Sequence, residues 1–598
     1  MNAMKEVGYF QKVEYLLKLI LIIVCVSSVP VLRAGTLPFF YADIAVSSEG
    51  EIVIAEKGMN RVRFFSSDGR RALRTVDLSE PPTGITLDDN YLYVTTFDKI
   101  GKLHIVALNS GAVEKTIVTG SGACAPLLDS VRARLYVCNQ FQNTISEIDL
   151  NSRQVVRTVN VLREPKSMLL SKDGKYLFST NYLPAQQANL DEVAACVSVI
   201  RINDFTKVKD IKLANGSNAL RGMCLSADGQ YMYVSHNLGR FTVPTSQLQQ
   251  GWMNTSAFSI IDVASQEYLG AVIVDEPERG AAGIWSIACN EKSLFITHSG
   301  THEVSIIDQK AMLDKFLVYP DKKMLDYDLR FLYGLRKRVP LKGNGPREMV
   351  LTDGKLFIPT YFSDILNIVD VETGQVVAVE QNPEREETME HKGERLFNDA
   401  SQCFQNWQSC NGCHPDARTD GMNWDLMNDG VGNPKNCKSM LFSHVTAPNM
   451  ISGIREHAEL AVRAGFKHIQ FFNIAEEDAV CVDAYLKALK PVPSPYLVDG
   501  ELSELAQEGR KVFEKMKCGE CHSGTYYTDM KMHRIGEDIE FEKGWDTPTL
   551  REVWRTAPYL FDGRAATMEE VFSVHKHGIT KKVSAKEIKA LTEYVNSL

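Results

Sequence analysis

Leu135-Tyr136-Val137-Cys138-Asn139 is a short apolar run whose pattern returns six more times along the chain. The other copies are Ile52-Val53-Ile54, Leu92-Tyr93-Val94-Thr95, Leu177-Phe178-Ser179-Thr180-Asn181, Met232-Tyr233-Val234-Ser235, Leu294-Phe295-Ile296-Thr297 and Leu356-Phe357-Ile358-Pro359. Runs this short and this rich in β-branched and aromatic residues read as strands. Each is taken as the first strand of its repeat. A second, alternating strand follows, ending in forms such as Ser146-Glu147-Ile148-Asp149 and Ser305-Ile306-Ile307-Asp308. Turn signals such as Ser171-Lys172-Asp173-Gly174 and Ser226-Ala227-Asp228-Gly229 precede strands. The early copies recur every 40–43 residues. That period predicts a β-propeller of four-stranded blades, and seven copies predict seven blades. The later copies lie further apart, which places insertions at 183–195, 239–256 and 310–343. Such loops either carry contacts on one face or decorate the surface.

Beyond the linker at Pro383 to Thr388 the apolar period becomes helical and a second repeat begins. Gly393 to Phe397 and Gly509 to Phe513 both read Gly-x-x-x-Phe. Each is followed by a C-x-x-C-H motif, Cys410-Asn411-Gly412-Cys413-His414 and Cys518-Gly519-Glu520-Cys521-His522. Each motif is followed by Thr-Ala-Pro (Thr446-Ala447-Pro448 and Thr556-Ala557-Pro558), by a glycine (Gly453 and Gly563) and by an acidic amphipathic helix. C-x-x-C-H is the attachment signature of a c-type haem. Two thiols at this spacing can each bond a haem vinyl group, and the adjacent imidazole then reaches the iron. Zinc is the competing ligand of C-x-x-C pairs, but a zinc ribbon needs two pairs close together.

The expected architecture is therefore multidomain: an N-terminal all-β seven-bladed propeller followed by a mainly α di-haem cytochrome c domain. The expected boundaries are 1–35 for a signal peptide, 36–380 for the propeller, 381–392 for a linker, and 393–500 and 501–598 for two cytochrome c-like units. The signal peptide is read from Lys5, Lys12 and Lys18 ahead of the apolar run Leu19 to Val29, with Ala34-Gly35 as a cleavage point. The run is short for a span, so a membrane is expected only through an uncleaved signal. Export to the periplasm or cell surface of a bacterium suits haem attachment.

The 598 residues carry a net charge of −9, which argues against nucleic acid and suits a basic redox partner. Of 13 cysteines, Cys403 and Cys437 flank the first haem motif and are the best guess for a disulfide, with buried free thiols as the alternative. The propeller histidines His104, His236, His298 and His302 read as structural rather than as a metal centre.

The propeller strands resemble the Tyr-Val-Thr-Asn family of seven-bladed propellers. Asp546-Thr547-Pro548-Thr549-Leu550-Arg551, Ala557-Pro558-Tyr559-Leu560-Phe561-Asp562-Gly563 and Thr567-Met568-Glu569-Glu570 resemble the C-terminal haem domain of bacterial di-haem cytochrome c peroxidases. Relatives that oxidise tryptophans in methylamine dehydrogenase share this domain. Cys413 to Trp424 resembles the first haem domain of propeller-fused members. One departure is Phe561, where the family often has His.

Taken together these readings place Cys410, Cys413, Cys518 and Cys521 as haem attachment points and His414 and His522 as proximal iron ligands. Distal ligands are expected at His577 or His575 on the second haem, and at His468 on the first through the internal repeat, with His444 and Met450 as rivals. The resemblance implies an acid–base group beside the first haem, for which Glu456, His457 and Glu459 occupy the corresponding helix. It also implies an electron relay through Trp424 or Trp554, and calcium held by Asn423, Asp429 and Asn433. The implied function is a peroxidase-like oxidoreductase passing electrons between two covalently bound haems to peroxide or a related oxidant. A small cytochrome or cupredoxin would be the redox partner. The alternatives are an electron carrier whose propeller docks that partner, and an oxidase of a propeller-bound organic or protein substrate.

Overall fold

The computed structural model describes residues 37–242, 253–426, 432, 434–535 and 542–598. The signal-peptide reading of 1–35 thus lies outside the described residues. Seven antiparallel sheets follow one another from Tyr41 to Glu380 and form a seven-bladed β-propeller. Six blades have four strands in sequence order. In the fifth, the innermost strand is broken into Ser217–Asn218 and Met223–Leu225, which both pair with Tyr231–Gly239.

The marker runs are the second strands of their blades, not the first. Ile52–Glu56 is preceded by Tyr41–Val46, and Arg134–Asn139 by Ala123–Asp129. The cause is burial. Second strands are covered on both faces and read as unbroken apolar runs. Innermost strands such as Tyr41–Val46 and Ile284–Cys289 bury only every third residue or so, because one face looks into the axial channel. The runs ending in Asp are accordingly third strands.

Apolar clusters bind each blade to the next. Val53 and Phe64 of the first blade pack with Ile85 and Leu92 of the second. Tyr41 and Ile54 pack with Phe357 and Leu366 of the seventh and close the ring. Each fully buried side chain of this size contributes about 1.5–3 kcal/mol. Asp364 clasps the closure: it accepts from the Phe39 amide (3.0 Å) and from Asn382 Nδ2 (2.9 Å), joining the chain's entry to its exit.

From Met389 onward helices joined by long loops replace the blades, and they meet loops between second and third strands: the Ala400 amide donates to the Gly300 carbonyl and Trp554 packs on Phe141. The insertion at 310–343 holds helix α1 (Gln309–Leu317) and the outermost strand Arg336–Pro340 of the sixth blade. No described helix is long and apolar enough to cross a membrane.

Candidate functional site

The helical region repeats one plan. Helix α2 (Met389–Asn398) crosses α4 (Glu476–Ala488), and α5 (Glu504–Lys515) crosses α7 (Ala585–Asn596). Thr388 and Ser503 cap α2 and α5 by accepting from the His391 and Ala506 amides. Gly393 and Gly509 sit at the crossings. A Cβ there would overlap the Cys481 and Ala590 carbonyls respectively. Four residues on, Phe397 packs on Tyr485 (5.5 Å between ring centres) and Phe513 on Tyr594 (5.4 Å). Gly-x-x-x-Phe is therefore a helix-crossing signal. Asn449 bridges Arg455 and Tyr559 bridges Ala565, and each Ala-Pro bond is cis.

Each C-x-x-C-H follows its first helix as a single turn, at Cys410–Cys413 and Cys518–Glu520. His414 Nδ1 lies 3.1 Å from the Arg418 carbonyl and His522 Nδ1 3.2 Å from that of Tyr527. A donated Nδ1–H fixes the tautomer that leaves Nε2 free. Burial pushes both imidazoles below the ordinary histidine range.

Both motifs line one continuous cavity of about 660 Å³. His577 lines it too, with its ring centre 6.3 Å from that of His522 and the planes inclined at 58°. Burial, and then the neighbouring His522, push the His577 imidazole down to about 4. His575 lies off the cavity, with Nε2 buried and unbonded. His468 lines the cavity but ends helix α3 (Ala458–His468) in an exposed position. Met450 lines it as well.

His444 points elsewhere: Nε2 meets Asp483 Oδ1 (3.0 Å) and Nδ1 meets Ser443 Oγ (3.2 Å). The acid–base candidates also lie outside the cavity. Glu456 and His457 are mostly exposed and face one another at 3.7 Å, and Glu459 pairs with Lys487 at 2.9 Å. A helix start at Ala458 aims this turn at solvent. Trp424 lines the cavity and donates to Asp420 (2.8 Å), whereas Trp554 packs edge-on against Phe141 of the propeller. The cavity contains a pair missed in the sequence: Trp545 stacked on Phe561 at 4.4 Å and 12°. The signal was adjacent, since Trp545 directly precedes the Asp546 stretch and Phe561 is the departure from the family pattern.

The Cys403–Cys437 disulfide is not formed. Cys437 Sγ packs 3.4 Å from His414 Nδ1 and Cys403 is buried as a free thiol. Among the calcium candidates, Asn423 donates to the Asp562 carbonyl (2.6 Å), while Asp429 and Asn433 lie outside the described residues. Among the described residues no group of three His, Cys, Asp or Glu side chains is placed to hold a metal ion. The propeller histidines are tied into structure: His236 and His298 each bond a serine hydroxyl and a carbonyl, His104 two threonines, and His302 Asp399.

Two insertions reach the helical region. In 239–256, Asn254 Nδ2 donates to Cys413 Sγ (3.1 Å) and Met253 walls the cavity. In 183–195, the Ala188 amide donates to the Gly563 carbonyl (2.9 Å). Glu164 of the propeller holds Arg555 (3.1 Å), and Arg418 of the first unit holds Glu552 of the second (2.6 Å).

No family model matches the chain. It is similar to hydrazine synthase subunit gamma of Kuenenia stuttgartiensis, 27% identical over 286 residues, covering 37% of this chain and 80% of that protein. Hydrazine synthase subunit beta of the same organism is 26% identical over 239 residues, covering 38% of this chain and 59% of that protein. Cytochrome c551 peroxidase of Nitrosomonas europaea is 21% identical over 210 residues, covering 30% and 60% respectively. Among solved structures, Kuenenia stuttgartiensis hydrazine synthase matches with a TM-score of 0.51 at 20% identity, over 59% of this chain and 99% of that one. This likeness supports the propeller fold. Two of these relatives are by name hydrazine synthase subunits and one a cytochrome peroxidase, and the chain spans about six-tenths of two of them.

Proposed function

We propose that the chain is an exported di-haem c-type cytochrome, an oxidoreductase that passes electrons between two covalently bound haems to peroxide or a related small oxidant. The carrying observation is the His522–His577 pair, 6.3 Å apart across a cavity that also holds both C-x-x-C-H motifs. Two imidazoles that share one metal at bonds of about 2 Å stand roughly this far apart between ring centres. Cys410, Cys413 and His414 would hold one haem, and Cys518, Cys521, His522 and His577 the other. When bound, the haems supply one-electron chemistry and, at the first, an iron position for a small molecule.

The chain's own residues prepare both places. Carbonyls of Arg418 and Tyr527 hold His414 and His522 in the ligating tautomer. Burial keeps these imidazoles neutral, as ligation requires. Leu441, Met440, Val462 and Leu550 give the cavity an apolar wall that excludes water. The stacked Trp545 and Phe561 give electrons a short aromatic route within it. His468 makes no ring pair with His414 like that of His577 with His522, which favours an open position on the first haem.

The similarity to two hydrazine synthase subunits favours a second reading, in which the substrate is a small nitrogen compound rather than peroxide. A small basic cytochrome or cupredoxin would suit the net charge of −9 as partner. Mass spectrometry should find two covalent haems, and fewer would sink the account. Stopped-flow spectra of the half-reduced protein with peroxide, and separately with hydroxylamine, distinguish the substrates. Absence of any high-spin haem, together with no consumption of either compound, would leave an electron carrier.

A further inference from the structure

With Glu456, His457 and Glu459 outside the cavity, acid–base chemistry within it must come from other groups. One chain of hydrogen bonds leads out of it. Ser443 lines the cavity, and its hydroxyl lies 3.2 Å from His444 Nδ1. His444 Nε2 lies 3.0 Å from Asp483 Oδ1, and Asp483 Oδ2 accepts from Arg463 (2.6 Å). Arg463 in turn holds the exposed Glu476 (2.6 Å). Three elements supply the chain: a single turn at Ser443–Val445, helix α4 with Asp483, and helix α3 with Arg463. The His444 and Asp483 side chains are only 2% and 5% exposed.

The bonding pattern sets the proton positions. A carboxylate only accepts, so Nε2 carries the proton shared with Asp483, and Nδ1 is left to accept from the Ser443 hydroxyl. Arg463 compensates the charge of the buried carboxylate. The Ser443 hydroxyl has no other hydrogen-bond partner among the described residues, so its oxygen remains open to a molecule in the cavity. The second unit lacks this chain. Counted from Thr-Ala-Pro, Ser443 and His444 correspond to Val553 and Trp554. Counted from Cys481 and Ala590 at the helix crossings, Asp483 corresponds to Thr592. The bonded chain thus stands only in the unit that has no counterpart of the His522–His577 pair.

We propose that Ser443, His444 and Asp483 form a proton relay for a small molecule held in the cavity, such as peroxide or hydroxylamine. The molecule gives a proton to Ser443 Oγ as the hydroxyl's own proton passes to His444 Nδ1. Asp483 balances the imidazolium that forms. The proton then returns by the same path to a second atom of the molecule, so no proton or electron is gained or lost and no co-reactant is needed. Ser443 touches the molecule, and His444 and Asp483 act through it. The inference rests on the open position proposed for the first haem.

The full-length protein carrying both haems is mixed with cyanide at neutral pH and, once reduced, with carbon monoxide, and both association rates are read by stopped flow. Hydrogen cyanide must shed its proton on binding, whereas carbon monoxide carries none. Ser443→Ala and His444→Gln should each slow cyanide by about tenfold or more and leave carbon monoxide unchanged. The double variant should be no slower than His444→Gln, because both changes cut one path. Ser443→Thr keeps the hydroxyl and should restore most of the rate. Unchanged cyanide binding in Ser443→Ala, at the haem content and melting temperature of the parent, would overturn the relay and leave the proposed function standing. Equal slowing of carbon monoxide would do the same, since it marks a structural role. A parent protein that binds neither ligand has no open position, and both readings fall. If His444→Gln does not fold, Ser443→Ala decides alone.

Discussion

In the second unit, helix α6 (Met568–Ser573) stops early. The chain then turns at Lys576 and Gly578, both with positive φ, and sets His577 opposite His522. In the first unit the matching stretch stays helical for eleven residues and carries His468 away to an exposed end. The two histidines stand almost equally far from their landmark glycines, Gly453 and Gly563, so the sequence makes them equivalent. A helix advances 1.5 Å per residue and a loop can fold back, so the structure does not. The units also differ in support. The first is backed by Met253 and Asn254 of the propeller, while the second leans on it through Arg555 and Gly563.

The largest expected effect tests what the units share. Gly393→Val and Gly509→Val each drive a side chain into a facing carbonyl, and each should cost more than about 4 kcal/mol. Thermal unfolding and haem content would show this. A mild effect from either would mean that the crossings are not equivalent. Next comes their difference in anchorage. Arg555→Ala strands Glu164 as a buried charge and should cost about 3–5 kcal/mol. Its counterpart by position from Thr-Ala-Pro is Val445, which is 46% exposed, and Val445→Ala should change the melting temperature little. Equal losses would erase the contrast.

Smaller effects concern the histidines. His577→Ala should abolish the low-spin electron paramagnetic resonance signal of the second haem, while His575→Ala and His468→Ala leave it intact. Loss of the signal with His468→Ala instead would reverse the assignment. The pH dependence is the finest test. His577 has a depressed pKa of about 4, so the fold holds it neutral. From the unfolded value near 6.5 down to about 4, its burial opposes the folded state by ~1.4 kcal/mol per pH unit. The imidazole itself takes up a proton only near the lower limit. The low-spin signal should therefore be unchanged through mild acid, from pH 7 to about 5. Its loss near pH 6.5 would mean that the fold does not hold His577 neutral.

Much of this was legible because it depends on local pattern. Leu135-Tyr136-Val137 and its copies stand out since both faces of a second strand are covered. Tyr41–Val46 and the other innermost strands carry no such signal, because one face looks into the channel and dilutes their apolar pattern. The family resemblance puts Glu456, His457 and Glu459 beside the first haem, whereas the cap geometry at His457 turns them outward. Trp545 and Phe561 lie sixteen residues apart, and nothing in their spacing announces a stack.

The sequence by itself determined seven blades, the duplicated helical unit and the two C-x-x-C-H motifs, because repeats and covalent spacing are properties of the chain alone. Tertiary structure decided that one cavity serves both motifs. It set His577 opposite His522, left His575 off the cavity and carried His468 to an exposed helix end. The physical reason is that burial and the meeting of distant side chains depend on how helices and blades pack, and no local pattern records that.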